Sequence, residues 1–296
     1  MATTTSAAST PVTVARTAPR GTIRQRITPH LLPLFTVLAI VYLMIPIVVM
    51  IVFSFNQPVG KFNYEWHEFS LQGWLHPFDW PGLPDSVATS LEVAVLSTIF
   101  ATIMGTMIGL ALTRYSFRGR GALNGIIFLP MATPEIVLGA SMLTLFVATA
   151  LPPLQGNVPT LYPTGFTTIL IAHILFNISF VVVTVKARLS GFDRNLEEAA
   201  MDLGANELVT FWKITFPLIL PGILAAALLA FSLSIDDFVI TNFVSGTTNT
   251  FPIWIYGVIR NALPVQINVI GSMIFLGAVG LVGLSSYRSG RAARIR

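Results

Sequence analysis

Four carboxylates interrupt otherwise apolar stretches of the chain: Glu92, Glu135 and the adjacent pair Asp236 and Asp237. No Lys or Arg lies deep in any of those stretches. An ionisable side chain at the centre of a bilayer costs about 2.5–3.5 kcal/mol on insertion scales, so such groups face a cavity or a partner and mark a pathway. Uncompensated negative charge of this kind suits a cationic substrate. Neighbouring residues on a straight helix point about 100° apart. Asp236 and Asp237 can therefore line one narrow path only if the helix is broken there. Otherwise one of them caps the following segment or bonds to a neighbouring span. His173 and Asn177, four apart and so on one helical face, are either partners for these acids or ordinary interhelical hydrogen-bonding groups.

Other chemistries lack their residues. No G-x-x-x-x-G-K-[ST] phosphate cradle occurs; Gly60-Lys61 is followed by Phe62. No G-x-S-x-G or H-E-x-x-H is present, and His30, His67, His76 and His173 are too scattered to form a metal-spacing motif. Cysteine is absent, which removes disulfide, thiol and cysteine-metal chemistry. The chain is expected to be a non-enzyme that holds no cofactor or metal of its own.

The elements that must position the acids are helices in a membrane. Of 296 residues, 54% are hydrophobic and 10% charged, against about 25% charged in soluble domains. A bilayer core of about 30 Å needs about 20 apolar residues in helix, and six stretches qualify: roughly Leu31–Phe55, Val87–Thr113, Ala122–Leu151, Gly165–Val185, Leu218–Phe243 and Val265–Tyr287. Pro130 and Pro134 interrupt the third. Thr133-Pro134-Glu135 reads as a helix start, with Thr as N-cap, Pro at the first position and an acid in the first turn. A broken span there would either line a transport site or be a capped kink. Gly105 and Gly109, and more loosely Gly277, Gly280 and Gly283, predict close helix packing.

Net charge is +4, and the positions of the basic residues give it meaning. All of the 17 Lys and Arg except Lys61 and Arg260 fall in the N-terminal tail, the loops after the second and fourth spans, and the C-terminal tail. The positive-inside rule places those segments, and both termini, in the cytoplasm. Charge spread over four segments forms no single patch for nucleic acid. The domain plan is a disordered tail over 1–30, a six-helix domain over 31–287, and a basic tail over 288–296. The tail composition also resembles an organelle transit peptide. On the outer side, Gln57–Ser86 mixes Phe62, Tyr64, Trp66, Phe69, Trp74, Phe78 and Trp80 with Glu65, Glu68, Asp79 and Asp85, which suits either the bilayer interface or an external partner. Trp254 and Tyr256 read as interface anchors.

The segment Asn195–Pro221 is polar between two apolar runs. Asn195 as N-cap with Glu198 three residues on predicts a capping-box-like helix start. Ala199 and Ala200 would give it a smooth face, and Gly204 can end it by accepting positive φ. Asn206 would cap a second short helix carrying Leu208, Phe211, Trp212 and Ile214, after which Pro217 and Pro221 turn the chain back to the membrane. Local physics alone allows a hairpin lying on the bilayer or a docking element.

The spacing Glu198-Ala199-Ala200, three residues, Gly204, nine residues, Ile214, one residue, Phe216-Pro217 resembles the EAA loop of ABC importer permeases, with Phe216 where that family prefers Leu. Ser90–Ala94, Leu129-Pro130 through Gly139, and Ser232–Phe238 followed by Ser245-Gly246 are similar to spermidine/putrescine permease subunits in particular. The resemblance implies an all-α polytopic protein with the type I ABC importer transmembrane-domain fold, in a bacterial inner membrane. It implies coupling to an ATPase through Glu198, Ala199, Ala200, Gly204, Ile214 and Pro217. It also implies a substrate pathway past Glu92, Glu135, Asp236 and Asp237. The implied partners are a homologous second permease, two ATP-binding subunits that bring ATP and Mg, and an extracytoplasmic binding protein. Polyamines, with several ammonium groups on a thin methylene stem, fit spaced carboxylates. Other organic cations, amino-acid derivatives or iron are alternative cargoes for such an importer, and a stand-alone secondary transporter or channel is the alternative outside it.

Overall fold

The structure, a computed structural model, describes residues 23–148 and 164–294. Residues 1–22 of the expected tail, the loop 151–163 and the last two residues lie outside it. The described chain is helical and contains no strand, only isolated bridges.

Helix α1 spans Ile23–Phe53, starting eight residues before the predicted boundary at 31. A short helix α2 (Gln72–Leu75) lies in the first loop, followed by α3 (Leu83–Arg114). The third predicted span is α4 (Arg120–Ala132) and α5 (Glu135–Ala148), bent by 108° at Thr133-Pro134. The break is where the sequence put it. The Thr133 hydroxyl, however, donates back to Leu129 O at 2.7 Å and so closes α4. Helix α6 spans Phe166–Ser190.

The polar segment forms α7 (Asn195–Asp202) and α8 (Glu207–Thr210). A π-helical turn, Phe211–Thr215, then leads without a break into α9 (Phe216–Ile235). The second hairpin helix is therefore continuous with the fifth span, in contrast to the separate helix predicted. Pro217 follows directly on the wider π turn, which accommodates a residue without an N–H inside a continuous helix. The span ends early, at Ile235, and resumes as α10 (Val239–Val244). Helices α11 (Phe251–Val258) and α12 (Val265–Arg294) complete the chain.

Among the described residues four helices are long and apolar enough to cross a membrane, or five if the bent α4–α5 pair is one span. Six were expected. The shortfall is in α12, whose apolar part among the described residues is the shorter stretch Val265–Gly280.

The core is the three-helix packing of α3, α6 and α9. A Cβ on Gly105 would lie 2.6 Å from Val181, and one on Gly109 would lie 3.4 Å from Val185. These glycines thus let α3 and α6 approach in parallel, as the small-residue pattern predicted. The α12 glycines differ: nothing lies within 4 Å of a Cβ at Gly277, Gly280 or Gly283, so they make no close helix packing among the described residues. Helix α5 rests on α10, with a Gly139 Cβ position 2.6 Å from the Phe243 ring, so the two broken spans pack against each other.

The loop between α1 and α3 folds on itself. Asn56 donates to Asn63 Oδ1 (2.6 Å) and Glu65 O (2.7 Å), and Phe55 stacks on both Phe69 and Trp74. Trp254 is no interface anchor. It is 7% exposed, packs with Leu83, Phe251 and Ile270, and donates its indole N–H to Pro81 O at 3.0 Å. Tyr256 is exposed and carries the Arg260 guanidinium over its ring at 4.7 Å.

Candidate functional site

Two polar constellations stand out, one at each end of α9. The first is the hairpin. Helix α7 starts differently from the prediction: Asp193 Oδ1 accepts from the Asn195 N–H at 3.0 Å, Arg194 occupies the cap position, and Asn195 is already helical. Two cap-competent side chains stand close together there, and the earlier one takes the role. The end agrees with the prediction. Gly204 has φ +87°, its N–H bonds to Met201 O (2.9 Å), and the Ala205 N–H bonds to Ala200 O (3.0 Å). This paired arrangement is a Schellman motif, in which positive φ at the glycine satisfies the last carbonyls. Asn206 caps α8 as expected, its side chain accepting from the Val209 N–H at 2.8 Å.

Exposure sorts the hairpin residues. Glu198, Ala199, Gly204 and Pro217 are exposed, Ile214 is half-buried, and Ala200 is buried. The smooth outward face therefore consists of Ala199 without Ala200, because a turn of helix carries the next position inward. Leu203 is 91% exposed beside Gly204, and Leu208 and Trp212, expected on the second short helix, are exposed as well, so the hairpin presents apolar side chains outward.

Glu197 was also passed over. It is buried at the base of α7, in a bidentate pair with the Arg114 guanidinium and accepting from the Thr215 hydroxyl. Burial pushes its carboxyl pKa up, but the hydrogen bonds from Arg114 and Thr215 and the charges of Arg114 and Arg194 outweigh that and hold it below the ordinary carboxylate value. A cavity of about 420 Å³ opens beside this pair, lined among others by Leu110, Tyr115, Glu207 and Phe211.

The second constellation surrounds the break between α9 and α10. Asp237 caps α10, accepting from the Thr241 N–H (2.8 Å) and hydroxyl (2.7 Å). His173 Nε2 lies 3.3 Å from the same carboxylate oxygen and 2.8 Å from Thr241 Oγ1, while its Nδ1 is 2.6 Å from Ser234 Oγ. Ser234 Oγ is in turn 2.9 Å from Ser97 Oγ. Donation can run in one direction along this chain, from Ser97 to Ser234, Ser234 to His173 Nδ1, and His173 Nε2–H to Thr241 and Asp237. All five residues are thereby satisfied, and α3, α6, α9 and α10 are tied together around the break. Asn177, one turn along α6 from His173, is fully buried with both amide atoms unpartnered.

The four acids are thus not equivalent. Asp237 is taken up by the cap and His173. Asp236, at the end of α9, is exposed, as are Glu92 on α3 and Glu135 at the start of α5. Among the described residues no hydrogen bond or ion pair joins those three. The helix is broken between α9 and α10, the condition for both acids to line one path, yet Asp237 caps the following segment and meets His173 of a neighbouring span.

Residues 97–289 match the family described as the binding-protein-dependent transport system inner membrane component. The spermidine/putrescine transport system permease protein PotC of Haemophilus influenzae is 34% identical over 245 residues, 82% of this chain and 90% of that protein. The putrescine transport system permease protein PotI of Escherichia coli K12 is 36% identical over 262 residues, 88% of this chain and 90% of that protein. Among solved structures, a bacterial ABC transporter that imports the acidic polysaccharide alginate aligns with a TM-score of 0.59 at 16% identity, covering 92% of this chain and 99% of that one. The alginate transporter bound to an alginate-loaded periplasmic protein aligns with a TM-score of 0.61 at 18% identity, covering 88% and 93%. These likenesses show that the fold is that of an ABC importer transmembrane domain.

Proposed function

From the chain's membership of the family of binding-protein-dependent transport system inner membrane components, we propose that it is the permease subunit of an ATP-driven importer of polyamines. It works in the inner membrane beside a second permease, two ATP-binding subunits and an external binding protein. The observation that carries the coupling part is the Glu198–Gly204 segment, exposed except at Ala200. It is a short helix closed by a glycine motif, with Leu203 exposed at its end, Leu208 and Trp212 exposed on the turns that follow, and no G-x-x-x-x-G-K-[ST] cradle in the sequence. Closure of the ATP-binding subunits moves this helix and shifts the spans between inward- and outward-facing states. The orientation that puts the hairpin and both termini in the cytoplasm follows from the distribution of Lys and Arg.

The cargo reading draws on the relatives, which are named as spermidine/putrescine and putrescine permeases, and on the acids. Asp236 is exposed at the C-terminal end of α9, where backbone carbonyls add partial negative charge to the carboxylate. Such an end is suited to an ammonium group. Glu92 and Glu135 offer further stations for the spaced charges of a polyamine, and two discontinuous spans packed together are the usual setting for a transport site. Reconstitution of the complex, with uptake of labelled spermidine and putrescine measured for the wild type and for Asp236→Asn and Asp237→Asn, tests this reading. An intact complex that takes up neither polyamine would refute the cargo assignment.

A further inference from the structure

Glu197 immediately precedes the exposed Glu198 but turns the other way. Its carboxylate joins three separate elements: α7, on which it sits, Arg114 as the last residue of α3, and Thr215 as the last residue of the π turn leading into α9. Two further contacts fasten the same corner. Arg194 Nη2 donates to Thr113 O at 3.0 Å, and the Arg114 guanidinium lies 5.2 Å over the Phe192 ring. A bidentate Arg–carboxylate pair resists both separation and twist because its two parallel bonds fix the planes of both groups. Being partly buried, it is weakened by salt less than an exposed pair would be.

Helix α3 is unbroken from Leu83 to Arg114 and also carries Ser97, the first member of the hydrogen-bonded chain that ends at Asp237. We infer that Glu197 is the positioning residue through which displacement of the hairpin reaches the membrane helices. It pulls on Arg114 and hence on the α3 helix that holds the α9–α10 break, and on Thr215 at the root of α9. This inference rests on the reading of the hairpin as the ATPase-docking element and divides its two neighbouring acids: Glu198 faces the partner, and Glu197 passes the motion inward.

The test uses the whole importer complex in lipid nanodiscs or proteoliposomes, with the wild-type chain, Glu197→Gln, which keeps the shape, and Glu197→Ala. Labelled spermidine transported per ATP hydrolysed is measured per assembled complex. A merely structural residue would reduce the number of complexes and leave that ratio alone. A positioning residue lowers the ratio in complexes that still hold their ATP-binding subunits. The expected fall is about five-fold or more, the lower end of ordinary coupling between sites, and larger for Ala than for Gln. A wild-type ratio in either assembled variant would overturn the inference. Failure of both variants to assemble would make Glu197 a folding residue and overturn it as well. A wild-type chain that retains no ATP-binding subunit would instead overturn the transport reading beneath it.

Discussion

Glu197 and Arg114, 83 residues apart in sequence, meet in a bidentate ion pair that closes the corner between the hairpin and the end of α3. Because the pair holds the Glu197 carboxyl pKa below its unfolded value, its stabilisation is fully present above the ordinary Glu pKa, about 4.3. It is lost as pH falls through the lowered folded value. The thermal midpoint of the purified protein should therefore exceed that of Glu197→Gln by a constant margin at neutral and mildly acidic pH, and the margin should shrink only below about pH 4.3. A margin that shrinks on going above neutral pH would contradict the pairing.

Gly204 adopts φ +87° with nothing within 4 Å of a Cβ position, so a side chain there meets backbone strain without a clash inside the chain. Left-handed geometry costs an ordinary residue about 1–2 kcal/mol, and Asp less than most. Gly204→Asp should thus remain in the membrane with little loss of stability while abolishing uptake, because the added charge sits on the docking tip. Normal uptake by that variant would remove the hairpin from the coupling path.

Gly105 is a packing position. A Cβ there falls 2.6 Å from Val181 Cγ1 and 2.7 Å from Val181 Cβ, so Gly105→Leu must push α3 and α6 apart. Overpacking of this kind costs about 1–3 kcal/mol, and Val181→Ala in the same chain should recover part of it. Unfolding in graded denaturing detergent would measure both. Equal stability of Gly105→Leu and the wild type would mean that the two helices do not meet there.

The adjacent acids should separate in experiment. Asp237→Ala strips the cap from α10 and leaves the Thr241 N–H and hydroxyl without their acceptor, at a cost of about 1–3 kcal/mol. Asp236→Ala removes an exposed group and should leave stability unchanged while reducing polyamine uptake. The reverse pattern, with stability lost at 236 and kept at 237, would exchange their assignments.

The sequence made the features with local causes legible. Pro134 marks the α4–α5 break, Gly204 the end of α7, and Asn206 the cap of α8, since each acts on backbone within four residues of itself. Features with distant causes stayed open among alternatives or went unseen. Nothing in Ser232–Phe238 includes Pro or Gly, and the break at Asp236 is held by His173 and Thr241 from other helices. Glu197 looks like one more acid in a helix's first turn until Arg114 and Thr215 arrive beside it. Likewise the glycines of α3 and α12 share a spacing theme, and only the positions of neighbouring helices separate those that pack from those that do not.

The central claim is that this chain moves polyamines only as the membrane part of an ATP-driven complex. Uptake of labelled spermidine into proteoliposomes, compared between this chain alone and the complex with its second permease, ATP-binding subunits and loaded binding protein, tests it most directly. Uptake by the complex should require ATP, and the chain alone should show none. Uptake by the chain alone, or by the complex without ATP, would contradict it.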